Sequence, residues 1–220
     1  MSKEVRIREL TPEMVGLLVV MTGPTRAGKD MAKAEIMGRF PGMSGVVTYT
    51  SRPKKDDEVD GADYHFVSEE KFKKMIAADK FLEWVPYGVY YMGTTKDALE
   101  VVLGGQDVIW RIDMSRAAGV EELLREKFNK ETAEALWART LVVAIIPDKV
   151  ETLRRRWIEN GRGDLKEFGR RMRQDARVWR ERRDKFPHVI MNPDGVQAET
   201  VGRVAELIEV KKSQLYATGE

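Results

Sequence analysis

Cysteine is absent from the 220 residues, which excludes disulfide scaffolds, thiolate zinc sites and cysteine nucleophiles. Histidine is nearly absent, and His65 and His188 alone cannot build a histidine-rich metal centre. No apolar run approaches the roughly 18 residues needed to cross a bilayer; the longest, Leu141–Ile146, is the length of a strand. Met1–Met14 is charged and holds no apolar stretch of secretory length, so a cytoplasmic protein is expected. Disorder is excluded by what remains: 42% apolar and 34% charged residues are enough to form a buried core with a solvated surface. The length fits one domain, or one domain carrying inserted lobes.

The net charge of +2 hides an uneven distribution. Between Arg154 and Arg183, eleven Arg and one Lys stand against five acidic residues, a local charge of +7. Such a segment suits nucleic acid, the phosphates of a small ligand, or a solvated helix face laced with i,i+4 ion pairs.

Short apolar runs alternate with longer amphipathic stretches. Gly16–Thr22 reads as a strand buried on both faces of a parallel sheet. Val46–Tyr49, Val108–Ile112, Leu141–Ile146 and Val189–Met191 are further strand candidates. Helices are expected over Lys29–Phe40, Met114–Phe128, Asp148–Glu159, Glu167–Lys185 and Gln197–Gln214, with Asp148 and Glu151 spaced as a capping box. This alternation predicts a parallel α/β sheet with right-handed crossovers. The middle departs from it. Tyr64–Val67, a helix over Ser68–Ala78 and the aromatic, β-branched stretch Phe81–Tyr91 look like a small inserted lobe. Asn160-Gly161-Arg162-Gly163 reads as a mobile loop between two Arg-rich helices.

Gly23-Pro24-Thr25-Arg26-Ala27-Gly28-Lys29-Asp30 follows the first strand and opens the first helix. G-x-x-x-x-G-K in that context is a phosphate-binding P-loop, whose amides cradle phosphates and whose lysine reaches the terminal ones. A Ser or Thr normally follows the lysine and its hydroxyl ligates Mg²⁺. Here Asp30 stands in that place, either as a hard ligand for the metal or as a charge favoured at a helix N-terminus.

Thr50 to Val67, reading T-S-R-P-K-K-D-D-E-V-D-G-A-D-Y-H-F-V, resembles the guanylate kinase family's T-T-R-x-P-R-x-G-E-x-x-G-x-D-Y-x-F-V. Phe81-Leu82-Glu83-Trp84 and Tyr91-Met92-Gly93-Thr94 resemble its F-I-E-x and Y-Y-G-[ST]. Ile112-Asp113-Met114 and Val189–Pro193 are similar to its later D-[IV]-D and V-I-x-N-D. The resemblance runs from about Gly16 to Leu215. It implies a P-loop three-layer α/β sandwich with a parallel-sheet core (16–47, 95–155 and 175–215), a nucleoside-monophosphate lobe (48–94) and a lid (about 156–174), after an N-terminal extension (1–15). It implies ATP-dependent phosphorylation of GMP or dGMP with Mg²⁺, and no need of nucleic acid or membrane.

By the same resemblance ATP belongs to Gly23–Asp30 and Asn192, and the acceptor to Thr48, Arg52, Lys55, Glu58, Tyr64, Glu83, Thr94 and Asp113. Lys29, Arg52, Arg156, Arg162 and Arg171 are the expected catalytic cations, and Asp30 the expected metal contact. Arg52, Lys55 and Tyr64 supply what a monophosphate needs, cations and a hydroxyl. Guanine presents an N1–H and an amino group side by side, and the carboxylate of Glu83 is able to accept both. Four positions depart from the family around the phosphates: Asp30, Lys55 for an arginine, Met92 for a tyrosine, and Arg111 for an aspartate. Tyr90 and Tyr91 are the neighbours able to replace the lost hydroxyl. Two other readings remain: a related P-loop kinase with another acceptor, such as ribose bisphosphate, whose kinase is similar in its Gly-Lys-Asp, or another nucleoside monophosphate; and a non-catalytic guanylate-kinase-like binding module.

Overall fold

The computed structural model describes residues 16–159 and 164–217. The expected extension 1–15, the loop Asn160–Gly163 and Arg162 within it lie outside the described residues. Strand β1, Leu18–Thr22, is buried along its whole length because it has no solvent face. Leu17, Val19 and Met21 enter one apolar core, while Leu18 and Val20 enter another on the opposite side of the sheet. Two separate cores, each closed by helices, make this a three-layer α/β sandwich.

The central sheet holds five parallel strands in the order β2-β7-β1-β8-β9. These are β2 (Ser44–Gly45), β7 (Val108–Arg111), β8 (Thr140–Ile146) and β9 (His188–Met191) around β1. A second sheet, in the order β4-β3-β6-β5, is built from β3 (Tyr49–Thr50), β4 (His65–Phe66), β5 (Phe81–Tyr87) and β6 (Tyr90–Thr95). One face of the central sheet is covered by α1 (Lys29–Arg39), α7 (Val150–Glu159), the start of α8 (Leu165–Arg182) and α9 (Gln197–Ala217). The other is covered by α3 (Glu100–Leu103), α4 (Met114–Ala117), α5 (Val120–Lys127), α6 (Lys130–Ala138) and the end of α8. Helix α2 (Glu69–Ala77) belongs to the second sheet and starts at Ser68, whose hydroxyl accepts the Lys71 N–H at 3.1 Å. Among the described residues no helix is long and apolar enough to cross a membrane.

Several sequence expectations need correction. Val46–Tyr49 is not a strand: the chain leaves the central sheet after Gly45 and joins the second at Tyr49, so one apolar run serves two sheets. Phe81–Tyr91 is not one strand but most of a hairpin. Tyr87 pairs with Tyr90 across a two-residue turn whose first residue, Gly88, has φ 64°; such turns match the strand twist and need a residue at ease with positive φ. Met114–Phe128 is two helices, parted at Ala118–Gly119. Helix α6, outside the helices expected from periodicity, begins at Asn129, whose side chain accepts the Thr132 N–H at 2.9 Å. Helix α7 begins at Val150, and Asp148 accepts the Thr152 hydroxyl at 2.9 Å.

Candidate active site

The loop between β1 and α1 is shaped by its glycines. Gly23 has φ 139°, and a Cβ there would lie 1.9 Å from the Ile145 carbonyl oxygen. Gly28 has φ 98°, and a Cβ there would lie 2.3 Å from Asn192 Nδ2. Only glycine suits either place. That same Nδ2 donates to the Ala27 carbonyl at 2.7 Å, while Asn192 Oδ1 accepts the Thr200 hydroxyl at 3.0 Å. Asn192 is thus a buried clamp on the loop backbone. Arg156 is a second clamp, reaching the carbonyls of Arg26 at 3.3 Å and Asn192 at 3.1 Å and the Asp194 carboxylate at 3.0 Å.

Lys29 curls over the loop, its Nζ donating to the carbonyls of Gly23 at 2.9 Å and Pro24 at 2.7 Å. Burial first, and then the nearby Arg111 guanidinium, lower its pKa to about 8. Asp30 projects from the first turn of α1, 80% exposed, and its Oδ1 meets Arg111 Nε at 2.8 Å. Two departures from the family's pattern therefore pair with each other. The Thr25 N–H points at Asp175 of α8 at 3.4 Å, a long contact, and burial raises the Asp175 carboxyl to about 6.

On the second sheet Arg52 forms a bidentate fork with Glu58, at 2.9 Å and 2.6 Å. Its guanidinium lies over the rings of Tyr64 at 5.4 Å and Phe66 at 5.5 Å. Glu58 also accepts the Lys55 N–H at 2.9 Å, and the Arg52 fork holds its carboxyl well below the usual range, about 2. A carboxylate repels phosphate, so this geometry makes Glu58 the holder of Arg52 and of the Lys55 backbone. Lys55 itself is exposed, and Thr48 offers its carbonyl to the His65 N–H at 2.9 Å.

Glu83 and Thr94 face each other across the β5–β6 hairpin. Thr94 is buried and accepts the Trp110 indole N–H at 3.3 Å. Glu83 is 11% exposed; burial pushes its carboxyl up, against the pull of Arg116, whose Nε stands 2.6 Å from Oε2. That ion pair is close but not aligned as a hydrogen bond, and Glu83 Oε2 is a buried oxygen with no hydrogen-bond donor. Asp113 grips the same arginine at 2.6 Å and caps α4 by accepting the Arg116 N–H at 3.1 Å.

Arg171, on α8, donates to Glu167 at 2.7 Å and lies over Trp157 at 5.7 Å. Arg26 of the loop lies over the same indole at 5.9 Å. Between α8 and the hairpin tip runs a cleft of about 660 Å³, lined by Arg52, Tyr90, Glu167, Arg170 and Arg171 and by the backbone turn at Gly88–Val89. That volume is in the usual range for a small-molecule site, roughly 300–1,000 Å³.

A metal centre made by protein alone is absent among the described residues, where no group of three or more His, Asp or Glu is placed to hold an ion. Mg²⁺ bound with a nucleotide needs less, one or two carboxylates beside phosphate oxygens and water. Asp30, exposed at the loop mouth, is a carboxylate of that kind, paired here with Arg111.

The model of the family described as guanylate kinase matches residues 16–211. The chain belongs to the guanylate kinase family. It is 34% identical over 206 residues to a guanylate kinase of Symbiobacterium thermophilum, covering 93% of this chain and 90% of that one. It is 35% identical over 176 residues to one of Gloeobacter violaceus, covering 80% and 79%. The crystal structure of a guanylate kinase from Anaplasma phagocytophilum shares the fold, with a TM-score of 0.64 at 20% identity, covering 90% of this chain and 87% of that one.

Three residues of this guanylate kinase site escaped sequence reasoning. Arg116 joins Glu83 to Asp113, and its signal was the Asp113-x-x-Arg116 spacing at a helix start. Arg111 was noted as a departure, but its contact with Asp30 crosses from a strand end to a helix and leaves no local pattern. Asp175 was hidden in the basic run. Much of that run is internally paired, as in Arg170–Glu167, Arg171–Glu167 and Arg177–Glu181.

Proposed function

We propose that this chain transfers the γ-phosphoryl group of ATP to GMP or dGMP. The observation that carries the guanine assignment is Glu83 Oε2, a buried carboxylate oxygen lacking a hydrogen-bond donor. Guanine's N1–H and amino group are two adjacent donors suited to it, whereas adenine would bring an unprotonated nitrogen. A ribose bisphosphate has no such edge and would leave that oxygen with its Arg116 ion pair alone. A non-catalytic module has no use for the clamped Gly28–Lys29 loop.

The residues divide the labour in space. The loop amides and Lys29 bind the donor phosphates, with Asn192 and Arg156 holding the loop in shape. The second sheet, spanning about 48–94, presents Glu83 and Thr94 to the base and Arg52, Lys55 and Tyr64 to the acceptor phosphate. Arg171 brings a guanidinium from the segment 156–174, which acts as the lid. The acceptor phosphate is already an anion and attacks in line, so the protein supplies position and positive charge without a strong base. Mg²⁺, held by the phosphates and by Asp30 directly or through water, supplies further charge neutralisation there. Asp30→Ser then shifts the Mg²⁺ concentration giving half-maximal rate; an unchanged requirement limits Asp30 to its pair with Arg111.

The test is ADP production from ATP with a panel of GMP, dGMP, AMP, CMP, UMP and ribose phosphates. GMP and dGMP should be the preferred acceptors. A parent protein that prefers AMP or a ribose bisphosphate overturns the assignment.

A further inference from the structure

Strand β6 sorts its side chains by the two-residue period of a pleated strand. Tyr91 lies on the outer face, where its ring stacks on Phe72 of α2 at 5.5 Å and meets Trp84 edge-on at 6.0 Å. Lys73 also caps that ring, at 5.9 Å. Tyr90, Met92 and Thr94 share the inner face, in line with Glu83 and Val85 of β5, which pair with Thr94 and Met92. The inner face therefore runs from the Glu83 carboxylate, past a thioether with no hydrogen to donate, to the phenol of Tyr90.

Tyr90 ends that row at the cleft, which Arg52 and Arg171 also line. Among the described residues lining the cleft it alone has a hydroxyl, the rest being Arg52, Pro86, Gly88, Val89, Glu167, Arg170 and Arg171. A phosphate entering there meets guanidinium groups from both walls, and a neutral O–H adds a short, charge-assisted hydrogen bond without a further ion to desolvate. Positions 90 and 92 are one pleat apart, roughly 7 Å along the strand.

We propose that Tyr90 donates its phenolic hydrogen to the phosphate of the acceptor nucleotide, between Arg52 and Arg171, and so takes over the task for which Met92 is unsuited. This rests on the reading of the cleft as the acceptor phosphate site, and it adds a binding residue to that site.

Steady-state kinetics of Tyr90→Phe test it. The change removes one oxygen from a half-buried strand end, so folding is preserved, and a thermal melt alongside the parent verifies this. A lost hydrogen bond to a charged group lowers kcat/KM for GMP about tenfold or more, since such bonds contribute about 1.5–3 kcal/mol. The KM for ATP stays at the parent value. Tyr91→Phe, on the other face, leaves the GMP constants within about twofold, the size expected of a site outside the contact. Met92→Tyr added to Tyr90→Phe restores a phenol one pleat deeper on the same face and recovers most of the loss.

An unchanged GMP constant in Tyr90→Phe, or a larger loss in Tyr91→Phe, overturns the proposal while leaving the kinase reading in place. So does a double variant with no recovery. Arg52→Gln separates the two levels: if it too leaves GMP kinetics untouched, the cleft is not the acceptor phosphate site, and the role of Tyr90 falls with that reading.

Discussion

The loop wall and the hairpin wall of the site are held by opposite means. Around Gly23–Lys29 the restraints are hydrogen bonds to the backbone, a buried one from Asn192 to Ala27 and half-buried ones from Arg156 to Arg26 and Asn192. Breaking one strands a polar atom away from water, a cost of about 1–3 kcal/mol. Around Arg52 the restraint is an ion pair with Glu58, whose side chains are 21% and 15% exposed, over a platform of aromatic rings. Such a pair exchanges one anion for another at little net cost, because water and ligand oxygens stand ready to replace the carboxylate. The loop wall is therefore built to keep its shape, and the hairpin wall to trade partners. For a kinase that must bind, close on and release a small nucleotide, that division is economical.

Lys29→Met is the severest challenge to the donor side. It should lower kcat by about 10²–10³, the usual loss for a donor to developing charge, with an unchanged circular dichroism spectrum. A variant with near-parental turnover would end the P-loop assignment. On the acceptor side, Glu83→Gln turns an amide N–H₂ toward guanine's own donors. kcat/KM for GMP should fall about 10–100-fold, as a stranded buried donor costs about 1–3 kcal/mol, and the preference over AMP should shrink with it. A GMP preference identical to the parent's places Glu83 outside base recognition.

Asn192→Ala probes the difference between the walls directly. Losing the clamp on the Ala27 carbonyl should destabilise the fold by about 1–3 kcal/mol and raise the KM for ATP, leaving that for GMP alone. Glu58→Gln, its counterpart, should raise the KM for GMP only a few-fold, since the amide oxygen still accepts from Arg52 and water reaches the pair. Melting curves and two-substrate kinetics on both variants decide; equal thermal losses would erase the contrast.

The smallest effect is in pH. Asp175 titrates near 6 when folded, above its ordinary 3.8, because burial disfavours its charge. The folded state then holds a proton that the unfolded state has released, so this group's contribution to stability declines from pH 4 to about 6 and stays unfavourable above. Asp175→Asn should raise the melting temperature at pH 7.5 and gain little at pH 4. An equal gain at both pH values assigns the effect to packing.

Elements with one strong pattern were legible in the sequence. Gly16–Thr22 reads as a doubly buried strand because no residue in it asks for solvent, and G-x-x-x-x-G-K between strand and helix reads as a phosphate loop. Boundaries set by long-range pairing were not. Val46–Tyr49 looks like a strand because its residues favour one, but the chain changes sheets within it, and no local property marks that place. Within the site, residue types were readable and their pairings were not. Glu58 reads as a ligand, and the structure adds that its carboxylate holds Arg52; Asn192 reads as a nucleotide contact, and the structure adds that its amide holds Ala27. Contacts of this kind are made between distant segments by tertiary packing, and one sequence carries no record of them.

The pairing of Asp30 with Arg111 has a consequence for how these two positions tolerate change. Together they are neutral; replace either alone and the mouth of the loop gains or loses a full charge beside Lys29. Asp30→Ser leaves an added cation where polyphosphate binds, which tightens the grip on a nucleotide that must afterwards depart. Arg111→Gln leaves one carboxylate without its partner, facing that same polyphosphate. Only the joint replacement conserves the local field, so substitution libraries that vary one position at a time would score both as intolerant. Varied as a couple, the two sites should depart from additivity.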